Sequence, residues 1–228
     1  IIFMTKIYCL VFSIFCFINM NAQQIHRCST TEYIDYLSES NPTIKQAIQN
    51  SFDVAKLYAT SQKSLKSTTP SILYRIPVVF HIVYNAPEEN ASDSLIFSQL
   101  DVLNKDFRKL NADTINHRPI FKDRASDVGF DFFLATIDPN GNPTTGITRT
   151  QTSVTSFGGF FPSTAELDKV KSASTDGIDA WDTDNYLNIW VCNTGGAILG
   201  FAYPPETAPN WPQNSTPTEK EKWGVVIS

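Results

Sequence analysis

Hydrophobic and polar positions along this chain fall into segments of different period. The run RIPVVFHIVY, residues 75–84, is almost continuously apolar, the pattern of a strand buried on both faces at the centre of a sheet. Directly after it, SDSLIFSQLDVLNKDFRKL puts Ile96, Leu100, Leu103, Phe107 and Leu110 on one helical stripe, with Ser92, Asp93 or Ser94 as the cap. GFDFFLATID predicts a second strand, and DPNGNPTTG, residues 138–146, is turn chemistry leading to a short strand around Ile147. Three more strands are predicted by NYLNIWVCN, AILGFAYP and WGVVI, with a Pro-rich loop between the last two. Upstream, residues 30–65 are helical in pattern, with Ile44, Ile48, Phe52 and Ala55 three or four apart, and SQKSLKSTTPS has linker composition. Strand and helix alternate first and strands follow closely later, so the fold class is α/β, preceded by a helical segment.

The first residues carry a different pattern. Lys6 follows Met4, residues 7–18 are apolar but too short for a comfortable membrane span, and NMNAQQ offers cleavage after Ala22. Ile1, Ile2 and Phe3 precede that Met and are set aside with the signal. The expectation is an exported, extracellular protein with no membrane span after signal removal. The chain then divides into upstream residues and signal (1–22), a helical propeptide (23–66), an activation linker (67–74) and a larger domain (75–228).

Charge narrows the partners. The formal net charge is -5, the isoelectric point is near 5.2, and no Lys/Arg cluster stands out, which excludes a nucleic-acid partner that would need clustered cations to displace counterions.

Candidate chemistry is sparse. The three histidines, His26, His81 and His117, lie far apart in unlike contexts, and no H-E-x-x-H pair occurs. His81, between Val79 and Val83 on one strand face, reads as a hydrogen-bonded interior histidine rather than a metal ligand, and His117 as a loop residue. There is no G-x-S-x-G elbow and no phosphate-cradling loop. The acidic stretch STDGIDAWDTDNY lacks the order of a calcium loop, so a solvated loop is favoured over an ion site, as a tight turn is for DPNGNP. Cys9 and Cys16 leave with the signal, which leaves Cys28 and Cys192, enough for one disulfide. From the residues alone the chain is an exported α/β domain with a helical leader.

Several stretches also resemble, in order and spacing, the N-terminal half of a pappalysin-type catalytic domain, a branch of the metzincin zinc metallopeptidases: IPVVFHIVY, LNKDFRKLN, FFLATIDPNGNPTTGI, KSASTDGIDAWDTDNYLNIWVCN, ILGFAYPP and WGVVI. They span about two thirds of the chain, and Trp223 stands where members often have Asp. The resemblance implies a metzincin N-terminal subdomain: a twisted five-stranded mixed sheet made of residues 75–84, 130–137, 186–192, 198–203 and 224 onward. Its antiparallel edge strand would be Leu199, Gly200, Phe201, Ala202 and Tyr203, which in the family borders the cleft and pairs with an extended protein or peptide substrate. An edge with unpaired N–H and C=O groups can hold a main chain by strand addition. The family's H-E-x-x-H-x-x-G-x-x-H helix is missing. The chain is therefore expected to be an inactive N-terminal fragment of a secreted zinc metalloendopeptidase, with zinc in the full-length enzyme and none bound to this fragment.

HRCST resembles the cysteine motif by which relatives stay latent, with Ser29 where Gly or Ala is usual. It implies Cys28 as a zinc ligand in the zymogen only, with activation cleavage after Lys63 or Lys66. A Cys28–Cys192 disulfide is the competing expectation. Two other classes of function stand beside the peptidase: a non-catalytic secreted peptide- or partner-binding module on the same fold, and a glycan-binding domain using Trp211 and Trp223.

Overall fold

A computed structural model of the chain describes residues 28, 30–61, 72–122, 125–158, 164–195, 198–203 and 220–228. The expected signal, the cleavage sites at Lys63 and Lys66, His26 and Trp211 lie outside the described residues.

The leader contains two helices where the sequence pattern suggested one: α1 (Thr30–Ser40) and α2 (Thr43–Ser61). Pro42 has no N–H to continue the first helix. Asn41 uses the interruption, its side-chain oxygen accepting from Thr43 N (3.2 Å) and Thr43 Oγ1 (2.6 Å), which caps the second helix.

The sheet is built on β1 (Tyr74–Tyr84), flanked by β2 (Phe130–Leu134) and β3 (Ile147–Gln151) on one side and by β4 (Leu187–Val191) on the other. Beyond β4 come β6 (Gly224–Ile227) and, at the edge, β5 (Gly200–Tyr203). All pairs are parallel except β5 with β6, which are antiparallel, as expected for the edge. The expected five rows are present, but the row beside β1 consists of two strands placed end to end. β2 pairs with the first half of β1 and β3 with the second, because the backbone departs after Ala135, whose N–H reaches Val78 O, and returns at Gly146, whose carbonyl accepts from Phe80 N. Between them Asp138 accepts from the N–H groups of Asn140 and Asn142 and closes the turn, and Ile137 retains only an isolated bridge to Pro143. Strand 130–137 thus ends at Leu134. Gly146 has φ +71°, and a Cβ there would lie 2.8 Å from Ala135 N, so only glycine allows the return.

Pro77 sits in the central strand without breaking it. Tyr74, Val78, Phe80 and Tyr84 spend their backbone groups on the β2–β3 side. The alternation directs Pro77 to the β4 side, one residue before the register there opens at Val78 opposite Leu187.

Each sheet face has its own core. Val78, Phe80, Ile82, Phe132 and Ile189 meet α3 (Asp93–Phe107) through Ile96, Leu100, Leu103 and Phe107. Ser92 is the cap, accepting from Leu95 N at 3.4 Å. The helix ends at Phe107, so Leu110, expected on the same stripe, is 68% exposed. Past a short helix α4 (Pro119–Lys122) the chain enters β2. The opposite face, with Val83, Trp190, Cys192, Phe201, Tyr203 and Val226, is covered by Leu167 and Val170, in and just after α5 (Thr164–Asp168), and by Tyr33, Leu37 and Ile44 of the leader.

Candidate functional site: an edge strand under the leader

β5 offers backbone groups to whatever lies beside it. Its register with β6 pairs Gly200 with Ile227 and Ala202 with Val225, and Ser228 N donates to Leu199 O. In an antiparallel ladder bonded and non-bonded pairs alternate. Leu199, Phe201 and Tyr203 therefore bond inward to β6, while Gly200 and Ala202 turn their N–H and C=O outward. Of the five edge residues singled out from the sequence, two present the main chain and two others, Phe201 and Tyr203, are buried anchors. Gly200 also lets the strand approach: a Cβ there would lie 2.4 Å from Val226 O.

One outward group is already taken. The Ala202 N–H donates to Thr30 Oγ1 at 3.3 Å, and the same hydroxyl oxygen accepts from the Cys28 thiol at 3.3 Å. The fold thus brings Cys28 to the edge strand across most of the chain's length. Cys28 is exposed and Cys192 is buried, and both are free thiols, so the competing disulfide is not formed. Burial, with Glu89 as a smaller contributor, pushes the Cys192 thiol up to about 12 and keeps it protonated.

Behind the edge, on the face away from α3, the leader inserts Tyr33. Its ring stands 5.0 Å from that of Phe201 and 5.8 Å, edge to face, from that of Tyr203. Its hydroxyl donates to the Asp168 carboxylate, 2.8 and 2.9 Å from the two oxygens. Asp168 also lies 3.3 Å from the ammonium groups of Lys171 and Lys222. Lys171 is only 4% exposed and donates to Lys222 O at 2.8 Å, with its charge 4.7 Å from the ring centre of Phe201 and 5.3 Å from that of Tyr33. Burial lowers the Lys171 pKa to about 8 against the opposing pull of Asp168, and it raises the Tyr33 phenol well above its ordinary value, helped by Asp168. Nothing in the sequence marked this group; only the spacing of Asp168 and Lys171 along one turn hints at a pair.

His81 is fully buried, with Nδ1 2.8 Å from Thr148 Oγ1 and Nε2 2.9 Å from Asn188 Oδ1. Asn188 Oδ1 can only accept, so Nε2 carries the proton and Thr148 donates to Nδ1. Both nitrogens are engaged, as expected of an interior histidine. The acidic stretch is used internally: Asp179 accepts from Ala173 N, Asp182 from Asp184 N, and Asp184 pairs with Lys220. Among the described residues no group of three or more His, Cys, Asp or Glu could hold a metal ion, so they do not fit a catalytic zinc. No helix among them is long and apolar enough to cross a membrane.

These features define a mixed α/β sheet with an antiparallel edge strand and a helical leader laid across one face. Solved structures to which the chain is similar include three of mirolysin or its precursor. A Tannerella forsythia promirolysin variant is 38% identical over 89% of this chain and 59% of its own, with a TM-score of 0.67. Mature Tannerella forsythia mirolysin in complex with a cleaved peptide is 45% identical over 69% of this chain and 53% of its own, with a TM-score of 0.59. Mirolysin in complex with compound 9 is 44% identical with the same coverage and TM-score. The chain thus spans between 53% and 59% of the length of these structures. No protein-family model matches the chain, and no curated protein does so at a significant level.

Proposed function

We propose that this chain is the N-terminal part of an exported zinc metalloendopeptidase precursor of the pappalysin type, with residues 23–66 as propeptide, 67–74 as activation linker and 75–228 as the first part of the catalytic domain. The observation that carries it is the coverage: similarity reaches 69% of the chain against mature mirolysin and 89% against promirolysin. The relative that retains its pro-segment thus matches over an additional stretch.

The role of this chain's own residues is then to receive substrate and to withhold it. Gly200 and Ala202 offer the outward N–H and C=O groups that an extended peptide would pair with. Thr30 holds one of them, so the leader and a peptide compete for the same strand edge. Cys28, placed beside that edge, is the residue proposed to reach zinc, in the zymogen only. The other zinc ligands and the general base are proposed to come from sequence outside this chain, because the described residues do not fit the metal.

The test is to read the coding sequence beyond Ser228 and assay the extended protein. An H-E-x-x-H-x-x-G-x-x-H segment and chelator-sensitive cleavage of a protein substrate are expected, with earlier activity after Cys28→Ala. A stop codon directly after Ser228 in an intact locus would defeat the peptidase assignment and leave a peptide-binding module.

A further inference from the structure

The contacts around Tyr33 go beyond what a helix needs in order to rest on a sheet. Leu37 and Ile44 supply apolar cover, as ordinary amphipathic positions do. Tyr33 is fully buried, and its phenol enters a recess whose walls all belong to the other part of the chain: Phe201 and Tyr203 of β5, Asp168 at the end of α5, Lys171 just after it, and Lys222 before β6. The deepest group is a lysine ammonium with almost no exposure, held by Asp168 and by the Lys222 carbonyl.

We propose that this recess is a tyrosyl-binding site in its own right, selective for a phenol ring with a hydroxyl donor and filled in this chain by its own Tyr33. The chemistry discriminates among aromatic ligands. The ring is read by one tilted and one edge-to-face aromatic contact. The hydroxyl is read by a carboxylate, which accepts and cannot donate. A phenylalanine side chain would fill the same volume but leave Asp168 short of a donor in a water-poor place, which is costly. A phosphorylated tyrosine would set an anion against that carboxylate. Lys171 and Lys222 stand one at each oxygen of Asp168 and hold the carboxylate aimed.

The site faces away from the α3 side of the sheet and does not depend on the peptidase assignment, since every contact is internal to this chain.

Chemical rescue on the full chain tests it. Tyr33→Gly should melt several degrees below the wild type. Millimolar 4-methylphenol, a tyrosine side chain without its backbone, should raise that melting point, toluene should raise it distinctly less, and the wild type should respond to neither. If toluene and 4-methylphenol act equally on the variant, or neither acts, selectivity for a phenol is overturned. Should Tyr33→Gly not fold, Tyr33→Phe provides the second measurement. It should lower the melting point by about 5 °C for the loss of a hydrogen bond to a charged group. The drop should shrink when Asp168→Asn is already present. No drop, or one independent of Asp168, overturns the proposal.

Discussion

His81 illustrates how a single buried side chain couples stability to pH. Burial lowers its pKa to about 4 from the ordinary 6.5, with the Asn188 hydrogen bond opposing as the smaller effect. As pH falls, the unfolded chain takes the proton first and the folded chain resists it. The contribution of neutral His81 is therefore complete above about pH 6.5, is lost as pH falls from there towards about 4, and amounts to roughly 3 kcal/mol in all. Urea midpoints measured between pH 7 and pH 4 should fall more steeply for the wild type than for His81→Gln, even though the variant is weaker at pH 7. Equal slopes would mean that His81 does not titrate in this way. Gly224 makes a steric demand instead. It has φ +135°, and a Cβ would lie 2.3 Å from Asn188 O, so Gly224→Ala should cost about 1–3 kcal/mol in strain before any clash is counted, read as a lower denaturant midpoint.

At the scale of elements, the two sheet edges are treated differently. On the β2 edge the Asn104 side chain acts as a substitute strand. Its amide N–H donates to Phe132 O at 2.8 Å and its oxygen accepts from Phe132 N at 2.7 Å. This ties α3 to β2 and takes up the outward N–H and C=O of Phe132, the middle residue of that edge. Asn104→Ala leaves both groups of a buried residue without that partner and should cost about 1–3 kcal/mol in chemical unfolding, with Asn104→Asp in between because only the accepting oxygen survives. Among the described residues the β5 edge carries no such side-chain closure. It is covered at Ala202 by Thr30, which belongs to a separate segment of the chain.

At the scale of the whole molecule, the leader belongs to the core of the larger unit. Tyr33, Leu37 and Ile44 are buried together with Leu167, Val170, Phe201 and Tyr203. A chain beginning at residue 72 exposes that aromatic face, and large exposed apolar patches drive association. It should elute as aggregates or oligomers in size-exclusion chromatography with light scattering, and a peptide of residues 28–61 added in trans should restore the monomer. A monomer that melts like the full chain would show that the leader contributes nothing to stability.

The sequence by itself determined the elements and their order. A continuous apolar run, a capped amphipathic stripe and glycine-marked turns are local signals, and β1, α3, the Asp138 turn and the buried His81 were legible from them. The resemblance supplied the antiparallel edge, which no local pattern contains. Boundaries slipped where backbone chemistry overrode side-chain period, at Pro42 in the leader and after Ala135, where the chain leaves the sheet and returns at Gly146. Only the tertiary structure decided which edge residues face outward, because that depends on register with β6. It alone brought Thr30 and Cys28 to Ala202, and Tyr33 to Asp168 and Lys171. Those pairs are far apart in sequence, and Asp168 and Lys171 look like ordinary surface charges until the leader's packing buries them.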